Sequence, residues 1–265
     1  MSKKTRPSSK NVAEERLGES KMMNCGEFAF IVNYACYNDI TVQFKKTGEL
    51  IKTTYSNFKN GFVKSRFTPS VYGVGIIGNE KSRDENGEII KGYSVWTSML
   101  SRCYSDEYKK THPTYKGCCV CEEWHNYSDF KEWFYNNYYE IPNEQMALDK
   151  DILVKGNKIY SPDTCVFVPQ NINNLFIKSN KIRGKYPIGV YFNKDANKFT
   201  AQCNIFYNGK KQYKNLGFYN TIEEAFNSYK QFKENYIKQV AEEYKDKIPN
   251  NLYEAMYNYK VEITD

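Results

Sequence analysis

Two aspartates and an asparagine in the middle of the chain carry the side-chain oxygens that a metal-dependent reaction requires. Asp149 and Asp151 are separated only by Lys150, and Asn173 follows further along the chain. Oxygen ligands of this kind suit a hard cation such as Mg²⁺, which keeps several of its own waters. The metal or a carboxylate could then activate water for hydrolysis. The alternative is structural: the aspartates would hold a hairpin through hydrogen bonds or pair with Lys150 and Lys158.

The elements around these residues are predicted to be a β-hairpin followed by a helix. The sequence indicates a strand over residues 147–152, a loop over 154–158 and a return strand over 164–168. Pro169 suits the first turn of a helix, and the helix that follows carries Asn173. This hairpin and helix would position the acidic pair and the asparagine.

An ordered set of motifs runs through residues 96–173. They are Trp96, Met99, Arg102-Cys103-Tyr104, Tyr115-Lys116-Gly117, Val120-Cys121-Glu122-Glu123-Trp124, Phe130, Trp133, Leu148-Asp149-Lys150-Asp151, Gly156-Asn157, Tyr160-Ser161-Pro162-Asp163-Thr164-Cys165 and Asn173. This set resembles a group of phage proteins related to HNH homing endonucleases. The resemblance implies a hairpin and helix that hold one divalent metal for phosphodiester hydrolysis.

Carried onto this chain, the resemblance places the general-base position near Asp149 and Asp151. It implies that Asn157 orients water and that Asn173, or a neighbouring asparagine of the helix, ligates Mg²⁺. The usual histidine is missing, because both histidines, His112 and His125, lie upstream. Two versions therefore stay open: an active nuclease, or an inactive relic that only grips DNA.

The cysteines give only a weak metal pattern. Cys118 and Cys121 form a Cys-x-x-Cys pair, and Cys103, Cys165 or His125 could add ligands. Tetrahedral zinc needs four ligands, and no second Cys-x-x-Cys occurs, so zinc is not expected. The eight cysteines, with no apolar leader at the N-terminus, favour reduced thiols in a cytoplasm.

The C-terminal region is predicted to be a three-stranded sheet packed on one helix. Strands are expected over residues 189–192, 199–207 and 212–219, with an Asn208-Gly209 turn between the last two. Thr221 and Glu224 form a capping-box pattern before a long amphipathic helix. A helix on one side of the sheet leaves the other side open.

Motifs within this segment are distinctive. They are Gly189-Val190-Tyr191, Lys198-Phe199-Thr200-Ala201, Leu216-Gly217-Phe218-Tyr219 and Thr221-Ile222-Glu223-Glu224-Ala225-Phe226-Asn227-Ser228-Tyr229. They resemble the ethylene-response-factor DNA-binding domain, in which the sheet enters the major groove of double-stranded DNA and the helix supports it. A solvated sheet face without a ligand is the structural alternative.

Strand alternation predicts which residues of this sheet would meet DNA. Nine basic residues and one acidic residue lie between residues 178 and 220, so positive charge is concentrated there. The predicted DNA contacts are Tyr191, Asn193, Lys194, Lys198, Thr200, Gln202, Asn204, Lys210, Lys211 and Lys214. Val190, Phe192, Phe199, Ala201 and Cys203 are expected to face the helix.

The whole chain is predicted to be a multi-module α+β protein. We expect a disordered basic tail over 1–24, a β-rich module over 25–82, an HNH-like domain over 93–177, the sheet domain over 185–245 and an extension over 246–265. The net charge is +7, and no apolar run is long enough to cross a membrane. The expected function is DNA binding with metal-dependent hydrolysis. The alternative is an inactive phage factor that regulates transcription or blocks a host immune complex through a protein partner.

Overall fold

The computed structural model of the protein describes residues 9–177, 184–207 and 210–265. The chain contains both helices and strands, and the strands form several separate sheets. The predicted multi-module α+β fold is therefore confirmed. The chain divides into two compact units. The first extends to Asn136 and includes Lys158–Ser161, and the second comprises Asn137–Asn157 and Pro162–Asp265.

The first unit begins with a four-stranded antiparallel sheet. Helix α1 (Ser9–Arg16) precedes β1 (Ser20–Met22), β2 (Phe28–Cys36), β3 (Asp39–Phe44) and β4 (Leu50–Thr53), which pair in that order. Alternating apolar residues of β2 and β3, such as Ile31 and Val42, are buried together with Phe58 of α2 (Tyr55–Lys59).

The boundary of the predicted tail is wrong. Residues 20–22 pair with residues 28–30 as an antiparallel strand, so the sheet begins before residue 24. The polar composition of this segment concealed a strand whose backbone hydrogen bonds, rather than apolar side chains, hold it at the sheet edge. Residues 1–8 of the predicted tail lie outside the described residues.

The remainder of the first unit is largely helical. It contains α3 (Lys91–Tyr104), α4 (Asp106–Thr111), most of α5 (Tyr127–Asn137), and a short parallel pair formed by β5 (Cys119–Val120) and β7 (Ile159–Tyr160). Trp96 of α3 and Trp124 are buried, and the Trp96 indole Nε1 donates to the Trp124 carbonyl at 2.7 Å. A buried indole therefore has the partner that its N–H needs.

The second unit combines the predicted hairpin with the predicted sheet. β6 (Met146–Asp149) pairs with β8 (Val166–Pro169), and α6 (Gln170–Asn173) follows directly. β9 (Val190–Asn193), β10 (Lys198–Tyr207) and β11 (Lys210–Tyr219) form an antiparallel sheet with β10 in the centre. The predicted turn at Asn208-Gly209 lies outside the described residues.

Helix α7 (Ile222–Tyr244) joins these two parts. The predicted capping box is present, with Thr221 Oγ1 accepting from the Glu224 amide and the Glu224 carboxylate accepting from the Thr221 amide. Ala225 and Tyr229 of α7 belong to the core beneath the sheet. Ile237 and Ala241 belong to the core beneath the hairpin, together with residues of α8 (Asn250–Tyr257).

The predicted domain boundaries therefore differ from the observed units. The segment 93–177 is divided between the two units, and residues 246–265 contain a helix that packs on α7 rather than a plain extension. In the described part of the chain, no helix combines the length and the apolar character needed to cross a membrane.

Candidate nucleic-acid interface and candidate metal centre

The C-terminal sheet has one covered face and one open face. Residues directly opposite each other in an antiparallel pair point to the same face. Val190, Ala201 and Cys203 are buried against Phe226 and Tyr229 of the helix. Residues at the alternate positions therefore form the open face, as the strand pattern predicts.

The central row of the open face consists of Tyr191, Thr200 and Phe218, which lie opposite one another on the three strands. Tyr191 is 41% exposed and Phe218 is 49% exposed. Thr200 between them is 0% exposed, and its Oγ1 has no hydrogen-bond partner among the described residues. Thr200, one of the predicted DNA contacts, is therefore fully buried in this conformation, and DNA could reach it only if the flanking side chains moved.

The other rows are polar. Lys198 lies opposite Asn193, Gln202 opposite Asn215, and Asn204 opposite Tyr213. Lys198, Asn204, Asn215 and Tyr213 are exposed, and Gln202 is half-buried.

Two asparagines of these rows use their side chains within the sheet. Asn193 Oδ1 accepts hydrogen bonds from the amides of Asp195 and Ala196, at 3.0 Å each. Asn215 Oδ1 accepts one from the Gly217 amide at 2.9 Å. Asn193 was predicted to contact DNA. Its side-chain oxygen is instead used to hold the β9–β10 turn, which leaves the side-chain NH₂ group for any contact with a base.

Three open-face residues, Tyr213, Asn215 and Phe218, were missed by the sequence analysis. The β10–β11 register shifts between Ala201 and Gln202, so Leu216 is an extra residue on β11. Gly217 has a φ of 129° at this irregularity, a conformation that favours glycine. Simple alternation fails across such a bulge, and the glycine was the available signal for it.

The predicted phosphate-binding lysines do not all share this face. Lys194 and Lys198 are exposed at the β9–β10 end of the sheet. Lys214 lies opposite Cys203 and is therefore on the helix side, with its Nζ 4.9 Å from the centre of the Phe232 ring. Lys210 and Lys211 belong to β11, but their side chains lie outside the described part of the chain.

The candidate metal centre begins with Asp149 at the end of β6. Its Oδ1 accepts hydrogen bonds from the amides of Asp151 and Ile152, at 2.8 Å each. Its other oxygen, Oδ2, takes no part in those two bonds. Burial, and then the charge of Asp151, raise the pKa of Asp149 to about 6, although the two amide donors and Lys150 oppose the shift.

Asp151 and Asn173 line the same cavity as Asp149. The cavity measures about 160 Å³, and Lys155, Phe176 and Tyr259 are also among its lining residues. Asp151 is exposed, and its Oδ2 lies 3.5 Å from Nζ of the buried Lys150. All three predicted metal ligands therefore line one cavity. The turn hydrogen bonds and the ion pair that the structural alternative predicts are also present.

Asn157, the predicted water-orienting residue, is placed differently. Its Nδ2 donates to the Lys150 carbonyl at 2.7 Å, which closes residues 150–157 into a loop after β6. Asn157 is not among the described residues that line the cavity.

The histidine nearest the predicted motif, His125, lies in the first unit. Its Nε2 is 3.1 Å from the Tyr104 hydroxyl, which accepts from the Val120 amide at 3.1 Å. This arrangement fixes β5 against α3 and gives His125 a structural contact.

The donor set around the cavity partly fits a hard cation. Two carboxylates and one amide border a space large enough for several waters, as Mg²⁺ prefers. Within the described ranges, no group of three or more His, Cys, Asp or Glu side chains is placed to hold a metal ion. A cation bound here would therefore need the Asn173 amide oxygen and water molecules as ligands in addition to the two carboxylates.

Comparisons with protein-family models, with curated proteins and with solved structures found no match to this chain.

Proposed function

We propose that the protein binds DNA through the open face of its C-terminal sheet. One observation carries this proposal: the face presents exposed aromatic, amide and lysine side chains while the helix covers only the opposite face. Side chains of these types bond to bases and phosphates. A three-stranded sheet is also narrow enough to enter the major groove of a duplex.

The charge of the chain supports a polyanionic partner. The net charge is +7, and Lys194 and Lys198 are exposed beside the open face. Lysines at this edge would hold the phosphate backbone while the centre of the face meets bases.

A gel-shift and anisotropy titration with DNA tests the proposal. The double variant Lys198→Gln and Asn204→Ala should weaken binding at least about tenfold, since one phosphate contact and one base contact are removed. The matched control is Lys64→Gln with Asn60→Ala, both exposed in the first unit. Equal affinities for the two double variants would place the binding surface elsewhere.

Metal-dependent phosphodiester hydrolysis at the cavity is a second candidate function. It is favoured by the convergence of Asp149, Asp151 and Asn173 on one cavity. A divalent cation would supply Lewis-acid polarisation of the phosphate and a water of lowered pKa. Asp149 would ligate through Oδ2 while its Oδ1 keeps the turn. A bound cation would lower the pKa of Asp149, which burial and the charge of Asp151 raise in the metal-free protein.

A supercoiled-plasmid assay with Mg²⁺ or Mn²⁺ tests this second function. Asp149→Asn keeps an oxygen for the two turn amides, so loss of nicking would not come from a broken turn. Asp163→Asn, an exposed aspartate outside the cavity lining, is the matched control. Nicking should require metal, disappear with EDTA and with Asp149→Asn, and survive Asp163→Asn.

Persistent binding without nicking would favour the non-enzymatic alternative. The protein would then be a DNA-binding factor that acts in regulation or in counter-defence. Salt dependence would distinguish the two kinds of partner. The affinity for a host protein should change little as the salt concentration rises, whereas the affinity for DNA should fall steeply.

A further inference from the structure

Among the side chains that the structure describes, three exposed aromatic rings lie on the open face of the C-terminal sheet. Tyr191 and Phe218 flank Thr200 on the outer strands, and Tyr213 lies opposite Asn204, further along β10. Tyr213 is 67% exposed, the largest exposed fraction of the three. Exposed aromatic side chains on an open sheet are the surface on which unpaired bases stack.

A duplex cannot use such rings fully. In double-stranded DNA the face of each base is covered by its neighbours, and only base edges are open in the grooves. Unpaired bases expose their faces, and stacking on an aromatic ring tolerates any base sequence. The exposed aromatic rings of this face therefore favour single-stranded DNA over double-stranded DNA.

Thr200 supplies a second and independent observation. Its hydroxyl is fully buried without a hydrogen-bond partner among the described residues, which is unfavourable in the free protein. It lies on the open face between two rings that keep nearly half of their surface in solvent. If those rings turned outward, the edge of a base between them would give the hydroxyl a partner.

We propose that this face binds single-stranded DNA, with bases stacked on Tyr191, Phe218 and Tyr213 and with the Thr200 hydroxyl bonded to a base edge. The inference rests on the proposed DNA-binding function and names the state of the DNA that it selects. Lys194 and Lys198 would hold the phosphates of the opened strand.

Fluorescence anisotropy with one labelled sequence in three forms tests the inference: single-stranded DNA, duplex DNA and single-stranded RNA. Single-stranded DNA should bind at least about tenfold more tightly than the duplex, because only unpaired bases can stack on the exposed rings. Tyr191→Ala and Phe218→Ala should each weaken binding to the single strand about tenfold.

Matched variants separate stacking from general damage. Tyr191→Phe keeps the ring and should bind like the wild type. Phe62→Ala should do so too, because it removes a ring of the first unit that is more exposed than Tyr191 or Phe218. Thr200→Val keeps the shape and removes the hydroxyl, so it should weaken binding about fivefold. Thermal unfolding of each variant verifies that it is folded.

The possible results distinguish the two proposals. Tighter binding to the duplex, still weakened by Phe218→Ala, would overturn this inference and leave the proposed DNA binding intact. Tighter binding to RNA would overturn the assignment of DNA as the ligand. Absence of binding to every form of DNA would overturn both proposals, and an equal loss with Phe62→Ala would overturn the stacking argument.

Discussion

Asp149 illustrates how one residue can serve two purposes in the second unit. Its Oδ1 closes the turn after β6, while the side chain borders the cavity shared with Asp151 and Asn173. The residue types were visible in the sequence, but the two turn hydrogen bonds and the effect of burial on the pKa depend on the fold. Sequence alone therefore left both the structural and the metal-binding interpretations open.

The raised pKa of Asp149 predicts a stability that depends on pH. Because the pKa is raised to about 6 in the folded protein, protonation of Asp149 stabilises the fold at low pH. That stabilisation is lost as the pH rises from about 4 through about 6. Asp149→Asn should therefore raise the free energy of unfolding at pH 7 by about 1–2 kcal/mol.

Denaturant unfolding at pH 4 and pH 7 would measure this effect. The advantage of Asp149→Asn should vanish at pH 4, where the wild-type carboxyl is already protonated. Adding Mg²⁺ at pH 7 should raise the melting temperature of the wild type but not of the variant. A variant that is less stable than the wild type at pH 7 would contradict the assigned pKa direction.

Thr200 predicts opposite effects on stability and binding. Thr200→Val replaces a buried hydroxyl without a described partner by a methyl group of similar size. The free energy of unfolding should therefore rise by about 1 kcal/mol, measured by denaturant titration. A loss of stability would show that the hydroxyl is satisfied in solution. Thr53→Val on the edge strand β4 is the control, because the half-buried Thr53 hydroxyl accepts a hydrogen bond from Asn57 Nδ2 at 3.4 Å.

At the scale of elements, much of the C-terminal module could be predicted from the sequence. Its strands follow from alternation, and the start of α7 follows from Thr221 and Glu224. The bulge at Leu216 could not be read from alternation, since it depends on how β10 and β11 pair. Strand β1 was missed for a related reason: an edge strand of polar residues has little pattern of its own.

The close approach of β9 to α7 gives a prediction about packing. Gly189 has a φ of 77°, and a Cβ added there would lie 2.0 Å from the Tyr229 ring. Gly184 has a similar φ of 78°, but its added Cβ would have nothing within 4 Å. Both alanine variants therefore suffer the same backbone strain, and only Gly189→Ala also disturbs the core.

Thermal and denaturant unfolding of the two glycine variants would separate these contributions. Gly184→Ala should lower the free energy of unfolding by about 1 kcal/mol, whereas Gly189→Ala should lower it by about 3 kcal/mol or more. Equal losses would indicate that Tyr229 moves aside at little cost.

At the scale of the whole molecule, positive charge and an open sheet face predict salt-sensitive binding. The net charge of +7 is moderate, so affinity should depend on the few lysines placed at the face. The logarithm of the association constant should fall linearly with the logarithm of the salt concentration. The slope should be proportional to the number of phosphates that the protein contacts.

Lys198→Gln should make that slope shallower by about 1 and weaken binding to all sequences alike. Lys247→Gln, at an exposed position beyond the end of α7, should leave the slope unchanged. Anisotropy titrations at several salt concentrations would measure both, and an unchanged slope for Lys198→Gln would exclude this lysine from phosphate contact.

If the cavity hydrolyses DNA as proposed, the shared helix α7 has a consequence for where a strand would be cut. Ala225 anchors the sheet and Ala241 anchors the hairpin, and the helix between them is continuous. At 1.5 Å per residue this separates the two anchors by about 24 Å. The length of the helix would thus fix the distance between the bound nucleotides and the phosphodiester bond that is cleaved. Lengthening α7 by one turn would move the cleavage position by about 5 Å.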